Sequence, residues 1–134
     1  MKLSNRSEYA CLALIDLSES YGSGVRSIKQ IAESRKIPRK FLEQILLALR
    51  NAGYVRSRKG PKGGYELAKP PAKISVAEII RLMDGALAPV ESVSKYYYEA
   101  TPVEQSPRLI ELLRSIRNYV ADLLESTSFA DLVE

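Results

Sequence analysis

The chain has 134 residues, 46% of them hydrophobic, which suits one folded domain with an appended helix and argues against wholesale disorder. It carries one cysteine and no histidine, which excludes a disulfide framework, the common zinc sites and histidine-based catalysis. No apolar run reaches the roughly 18 residues of a membrane span, and the N-terminus lacks a signal-peptide pattern. We therefore expect a soluble cytoplasmic protein with no membrane partner, and no enzyme motif is visible.

The charge of the chain is unevenly distributed. The net charge is +4, yet residues 26–73 hold 13 Lys and Arg against three acids, whereas residues 74–134 hold five against ten. Basic charge concentrated in one third of a chain is typical of nucleic-acid binding. The alternative is a solvated basic surface, and charge alone does not separate the two.

Three helices are predicted in the N-terminal part of the chain. Residues 5–20 lack Gly and Pro and predict a helix buried on much of its circumference, with apolar Tyr9, Leu12 and Leu17 at helical spacing. Ser27 is a plausible N-cap for a helix over 28–35. A third helix, 38–51, starts with proline and places Phe41, Leu42, Ile45, Leu46 and Leu49 on one face.

A two-stranded hairpin is predicted next, followed by a fourth helix. The β-prone segments 54–57 and 64–67 flank a basic, Gly- and Pro-rich tip at residues 58–63. The fourth helix spans about 75–85, with Ser75 as a candidate cap. Residues 86–106 predict a loop with some local helix.

The C-terminal part predicts one long helix. Ser106 caps it and Pro107 opens it, and it reaches about residue 126, a length of about 30 Å at 1.5 Å per residue. Its apolar residues step by 4, 3, 4, 3, which is a heptad pattern. Such a pattern favours pairing with a second copy over packing on its own domain, and Ser128 with Asp131 indicates a short terminal turn. The predicted dimerisation residues are Leu109, Leu113, Ile116, Val120 and Leu123.

Helix, sharp turn, helix and hairpin in this order predict a mainly α winged helix-turn-helix. The second helix of the pair has about the right width for the major groove, where each base pair shows a distinct donor and acceptor pattern. Arg39 and Lys40 could donate to guanine or phosphate. Gln44 could pair with adenine, and Glu43 could accept from cytosine or simply form a local ion pair. Lys36 occupies the tight turn, where a left-handed backbone would cost about 1 kcal/mol.

The predicted wing has a chemistry of its own. Arg58, Lys59 and Lys62 surround glycines that let the backbone approach a phosphate or enter a minor groove. The alternative is a flexible basic turn without a ligand.

Several short motifs along nearly the whole chain form a set: Met1-Lys2-Leu3-Ser4, Tyr9-Ala10, Ile31-Ala32-Glu33, Phe41-Leu42-Glu43-Gln44-Ile45-Leu46, Gly60-Pro61-Lys62-Gly63-Gly64-Tyr65 and the tail Phe129-Ala130-Asp131-Leu132-Val133. With these motifs the chain resembles the Rrf2 family of bacterial transcription regulators. The resemblance implies a homodimeric winged helix that contacts DNA through the recognition helix and the wing. In this family Arg usually precedes the wing glycine and Tyr is common at position 41, whereas this chain has Lys59 and Phe41.

The resemblance also bears on cofactors. Sensor members of the family place three cysteines in the loop before the long helix to hold an iron–sulfur cluster, and residues 86–106 of this chain contain none. A conventional cluster is therefore not expected, and no cofactor or metal is predicted. Cys11 fits core packing, with a redox role or an unusual cluster as the alternative. The Tyr96-Tyr97-Tyr98 run either packs under the long helix or lines an effector pocket.

These observations define one prediction and two alternatives. We expect a homodimeric, sequence-specific regulator of double-stranded DNA, acting as a repressor, with a small-molecule or protein effector. The alternatives are an iron–sulfur or redox sensor using Cys11, and an interaction regulator that docks on a metabolic enzyme. The predicted division is a DNA-binding domain at 1–85, a loop at 86–106 and a dimerisation helix and tail at 107–134. The predicted DNA-binding residues are Lys2, Ser4, Pro38, Arg39, Lys40, Phe41, Glu43, Gln44, Arg50, Arg58, Lys59, Pro61 and Lys62.

Overall fold

The computed structural model describes residues 2–133 and shows a mainly helical winged helix-turn-helix. Short 3-10 turns lie at 71–73, 91–93, 102–105 and 129–132. The strands pair antiparallel, with Val55 opposite Leu67 and Arg58 opposite Gly64. The elements are α1 (Asn5–Glu19), α2 (Ile28–Arg35), α3 (Arg39–Asn51), β1 (Val55–Arg58), β2 (Gly64–Leu67), α4 (Val76–Asp84) and α5 (Pro107–Ser126).

Serine caps fix the starts of most helices, as the sequence predicts. Ser27 and Ser75 each form a reciprocal capping box with the residue three positions on, Gln30 and Glu78. Ser106 accepts from the backbone N–H of Leu109 at the start of α5. The third helix begins one residue later than predicted, because Pro38 has an extended ψ of 128° and serves as the N-cap.

One hydrophobic core joins the helix-turn-helix to the wing. It holds fully buried residues of α1, α2, α3, β2 and α4, among them Leu14, Ile31, Leu46, Leu67 and Ile79. The predicted faces are wrong at two positions, Leu12 and Phe41, which are 36% and 50% exposed. Both lie at the edge of their helix's apolar face, and Phe41 packs at 5.9 Å between ring centroids against Tyr9.

The C-terminal tail returns to this core after α5. The carbonyl of Thr127 accepts from the backbone N–H of Val76, and the backbone N–H of Phe129 donates to the carbonyl of Ile74. The Phe129 ring is fully buried within the core. This tie fixes the C-terminal end of α5 relative to α4, and the three-part division of the chain stays a prediction.

Candidate nucleic-acid interface

The turn between α2 and α3 sets the position of the recognition helix. Lys36 has φ 54° and ψ 45°, the left-handed conformation that the sequence predicts there. Its backbone N–H and that of Ile37 both donate to the carbonyl of Ala32, which closes the end of α2. Ile37 is buried, so the chain enters α3 from an anchored point.

The outer face of α3 presents polar and cationic side chains to solvent. Arg39 and Glu43 are 62% and 58% exposed and lie 3.7 Å apart as an i,i+4 ion pair. Lys40 and Gln44 are exposed beside them. Exposed pairs of this kind contribute about 0–1 kcal/mol to stability, so the ion pair and a DNA contact by the same residues are compatible.

The wing is a tight hairpin whose geometry depends on glycine. Gly60 has φ +105°, and its carbonyl accepts from the backbone N–H of Gly63 at 2.9 Å. A Cβ on Gly63 would lie 2.2 Å from the carbonyl oxygen of Arg58. The tip spans 59–63 rather than the predicted 58–63, because Arg58 pairs with Gly64 and belongs to β1. Lys59 and Lys62 lie in this tip, and both are exposed.

A carboxylate in the wing was missed by sequence reasoning. The Glu66 side chain, 16% exposed, accepts from Nε of Arg56 at 3.0 Å and from Nε of Arg58 at 3.2 Å. Arg58 thereby differs from Lys59 and Lys62, which make no ion pair within residues 2–133. The hairpin register was the available signal, since it places Arg56 directly opposite Glu66.

The N-terminal segment contributes a further contact between elements. The Ser4 side chain caps α1 by accepting from the backbone N–H of Ser7, and its hydroxyl donates to Asp84 at the end of α4. Burial by itself would raise the pKa of Asp84, but hydrogen bonds from the Ser4 side chain and backbone outweigh it and lower the pKa below its usual range. The single donor of the Ser4 hydroxyl is therefore used within the chain.

All thirteen predicted DNA-binding residues are exposed, and they fall on three segments: the N-terminal segment, α3 with the residue before it, and the wing. The structure also shows an ion-pair cluster that the sequence did not reveal, in which the buried Asp16 of α1 contacts the half-buried Arg26 and Arg35. None of these three residues belongs to α3 or to the wing.

An apolar row of side chains runs along the outside of α5. It consists of Leu109, Leu112, Ile116, Tyr119 and Leu123, which are between 38% and 74% exposed and which we call the α5 stripe. Of the predicted dimerisation residues, Leu113 and Val120 are instead half-buried. Val120 lines an open cavity of about 900 Å³ between α4, α5 and the N-terminal segment, together with Ile80, Met83 and Leu124.

The candidate redox and metal groups are not arranged as a site. Burial, and next the negative charge of Asp84, raise the pKa of the Cys11 thiol to about 11. Within residues 2–133, no three His, Cys, Asp or Glu side chains come together as a group that could hold a metal ion. In the same span no helix is long and apolar enough to cross a membrane.

The tyrosine run is exposed rather than packed beneath α5 within the chain. Tyr96, Tyr97 and Tyr98 are 62%, 47% and 61% exposed. The guanidinium of Arg81 and the ammonium of Lys95 lie 4.8 and 5.2 Å from the ring centroid of Tyr96. These cation–π contacts fix one of the three rings on the surface.

Comparison with known proteins identifies the family. The Rrf2 model, described as an iron-dependent transcriptional regulator, matches residues 3–134. The chain belongs to the Rrf2 family of transcriptional regulators. It is 36% identical to CymR of Bacillus subtilis over 132 residues, covering 98% of this chain and 89% of that protein. The relatives carry names of helix-turn-helix-type transcriptional regulators, which confirms the prediction of a regulator rather than an enzyme.

Solved structures of family members share the fold. The structure of CymR, described as the global cysteine regulator of B. subtilis, matches with a TM-score of 0.85 at 35% identity, covering 98% of this chain and 95% of that one. The structure of T. potens IscR matches with a TM-score of 0.76 at 30% identity, covering 98% and 85%. The predicted winged helix and the resemblance to this Rrf2 family are both confirmed.

Proposed function

We propose that this Rrf2 member is a homodimeric, sequence-specific regulator of double-stranded DNA that acts as a repressor without a conventional iron–sulfur cluster. The observation that carries the proposal is the placement of exposed cations at the start of α3 and at the wing tip. Arg39 and Lys40 lie on a helix whose start is anchored by the buried Ile37, and Lys59 and Lys62 lie on a hairpin anchored in the same core.

Sequence selectivity is assigned to α3 and affinity to the wing. Arg39, Glu43 and Gln44 carry the donor and acceptor groups that distinguish bases in the major groove. Lys59 and Lys62, which have no ion-pair partner among residues 2–133, supply point charges for phosphates or an entry into the minor groove. The Arg39–Glu43 ion pair would open or reorient when Arg39 meets a base edge, at small cost because both groups are exposed.

The α5 stripe supports the homodimer. Five large apolar side chains stepping by 3, 4, 3, 4 are exposed along a 20-residue helix. A row of this kind at heptad spacing is the pattern that pairs helices. Relative to the sequence-based prediction, the proposed interface replaces Leu113 and Val120 with Leu112 and Tyr119, since the former pair is half-buried in the chain's own structure.

The proposal that the protein holds no conventional iron–sulfur cluster is based on its supply of cysteine ligands. Cluster irons are held by thiolates, usually four per cluster, and a dimer of this chain supplies two cysteines in all. The raised pKa of Cys11 disfavours the thiolate form that binds metal. Iron analysis and a visible spectrum of anaerobically purified protein test this, and iron-bound coloured protein would contradict it.

Repression and an effector complete the proposal. A bound dimer covers promoter DNA, and a signal, small molecule or protein, must change its affinity for DNA to make it a switch. Transcription in vitro from a promoter that contains the selected site tests the mode of action, with repression expected and activation as the contradicting result.

Selection of bound duplexes from a random pool, followed by affinity measurements at several salt concentrations, tests DNA binding. We expect a preferred duplex. Lys59→Ala should weaken binding and reduce the slope of log affinity against log salt by about 0.9, which is the share of one phosphate. Lys95→Ala removes the same charge outside the basic segment 26–73, and should leave the affinity and the salt dependence unchanged. No preference for any duplex over random DNA would overturn the proposal.

A further inference from the structure

A buried carboxylate contacts residues that adjoin both of the elements proposed to read DNA. The Asp16 side chain, on α1, is only 3% exposed. Its Oδ1 accepts from Nε of Arg26 at 3.0 Å, and its Oδ2 accepts from Nη2 of Arg26 at 3.2 Å and from Nε of Arg35 at 3.3 Å. One carboxylate thus holds two guanidinium groups that come from different parts of the helix-turn-helix.

Arg26 pairs through its backbone with the second strand of the wing. Its backbone N–H donates to the carbonyl of Tyr65 at 2.9 Å, and its carbonyl accepts from the N–H of Tyr65 at 2.7 Å. A Cβ on Gly64 would lie 2.3 Å from the same carbonyl oxygen, so glycine at the start of β2 permits this approach. Arg26 is therefore one of the points that position β2.

Arg35 lies just before the recognition helix α3. It is the last residue of α2, directly before the left-handed Lys36 and the entry to α3. Its Nη2 also donates to Glu19 at 2.7 Å, on the surface side of the cluster. Asp16 therefore contacts both the residue that anchors the wing and the residue that precedes the recognition-helix turn.

The stability of the fold does not by itself account for this ion-pair cluster. Removing charged groups from water costs several kcal/mol per ion, and a well-packed apolar group of similar volume is often at least as stabilising. What the cluster adds is fixed geometry, because a carboxylate that binds two planar guanidinium groups allows few relative orientations.

We propose that Asp16 is a positioning residue for DNA binding, which holds the wing at a fixed distance from the recognition helix through Arg26 and Arg35 so that both reach one duplex together. The inference rests on the proposed function, since it takes α3 and the wing to be the DNA contacts. Asp16 itself touches no DNA in this scheme.

A double-mutant cycle separates positioning from stability. The affinity for the selected duplex is measured for the wild type, for Asp16→Asn, for the wing variant Lys59→Ala/Lys62→Ala, and for the combination. Asp16→Asn keeps the volume and removes the charge. We expect the wing substitutions to weaken binding about tenfold less in the Asp16→Asn background than in the wild type, because a displaced wing contributes less to binding from the start.

Two further variants complete the design. Glu19→Gln is the matched control: it lies on the same helix, changes the charge equally and removes only the second carboxylate partner of Arg35, so both links to Asp16 remain and the full effect of the wing substitutions should persist. Arg26→Gln removes the side-chain link between Asp16 and Arg26, keeps the backbone pairing of residue 26 with Tyr65, and should reduce that effect as Asp16→Asn does. Circular dichroism at the assay temperature establishes which variants are folded, and Arg26→Gln decides the question if Asp16→Asn fails to fold.

The outcomes distinguish this inference from the proposed function. An undiminished effect of the wing substitutions in folded Asp16→Asn or Arg26→Gln overturns the inference and leaves DNA binding by α3 and the wing intact. A wild-type protein that binds no duplex, or whose affinity does not respond to the wing substitutions, overturns the proposed contacts and this inference with them. A diminished effect in both variants, with Glu19→Gln like the wild type, supports Asp16 as the positioning residue.

Discussion

Lys36 occupies a backbone conformation that few side chains favour. A residue with a Cβ in the left-handed region is destabilised by about 1 kcal/mol or more, and Lys36 has φ 54° there. The chain tolerates this conformation because Ile37 is buried one position later, and because the N–H groups of Lys36 and Ile37 both donate to the carbonyl of Ala32.

Lys36→Gly should therefore stabilise the protein, by up to about 1 kcal/mol after the greater flexibility of glycine in the unfolded chain is counted. Chemical denaturation measures the free energy of unfolding. Glu33→Gly, in the exposed part of α2 where the backbone is helical, is the control and should instead destabilise by about 0.5–1 kcal/mol. A loss of stability in Lys36→Gly would contradict the backbone argument.

Cys11 gives a second prediction at the scale of one residue. Its thiol pKa of about 11, raised by burial and next by Asp84, keeps the thiol protonated at neutral pH. Because the thiolate is the reacting form, iodoacetamide should label folded protein far more slowly at about pH 7.5 than denatured protein, and the rate should still be rising at about pH 10. Mass spectrometry follows the labelling, and rapid labelling that levels off below about pH 9 would contradict the buried, protonated thiol.

At the scale of elements, the wing combines cations with a carboxylate that restrains two of them. Glu66 holds Arg56 and Arg58 at the distance of a direct ion pair. Phosphates must compete with this carboxylate for the two arginines, whereas Lys59 and Lys62 are available without competition. The wing thus has one part with restrained charge and one with free charge.

Glu66→Gln should release that restraint. We expect tighter binding to random duplex and a steeper dependence on salt, by up to about 0.9 in the log–log slope for each arginine that gains a phosphate. Fluorescence anisotropy with a labelled random duplex measures both. Glu91→Gln removes an exposed acid outside the wing and serves as the control. Equal gains in the two variants would show that net charge alone is responsible.

The elements themselves could be predicted from the sequence, whereas the links between them could not. Caps at Ser27, Ser75 and Ser106 and glycines at the wing tip are local signals, and the observed bounds of the helices follow them within a residue or two. The links from Asp16 to Arg26 and Arg35 depend on how α1 crosses the helix pair, which no periodicity encodes.

Phe41 and α5 show the same limit at the edge of a helical face. The spacing of Phe41 fits the apolar face of α3, yet its ring is half exposed. The face that is buried in the core is centred nearer to Leu42, which is fully buried, and Phe41 lies at its edge. Along α5 both Leu113 and Leu112 fit a heptad. Leu113 lies on the less exposed side because α5 packs against α4 and against the 3-10 turns at 91–93 and 102–105.

At the scale of the whole molecule, the α5 stripe is the surface that we propose pairs two chains, and binding to a two-fold DNA site would depend on that pairing. Two-fold proteins match half-sites about one helical turn apart, so a monomer would lose the second half-site. Tyr119 is the most exposed large apolar residue of the stripe, at 74%. A carboxylate in its place would have to be buried without a partner on dimerisation, which costs several kcal/mol.

Tyr119→Glu should consequently give a folded monomer, while the wild type sediments as a dimer at micromolar concentration. Its affinity for the selected two-fold site should fall to the level of a single half-site. Asn118→Glu introduces the same charge one position away, off the stripe, and should remain dimeric. Sedimentation velocity and anisotropy on the same samples test both parts. If Tyr119→Glu stays dimeric, the interface lies elsewhere than on the α5 stripe, whereas a monomer with full operator affinity would mean that one chain reads the whole site.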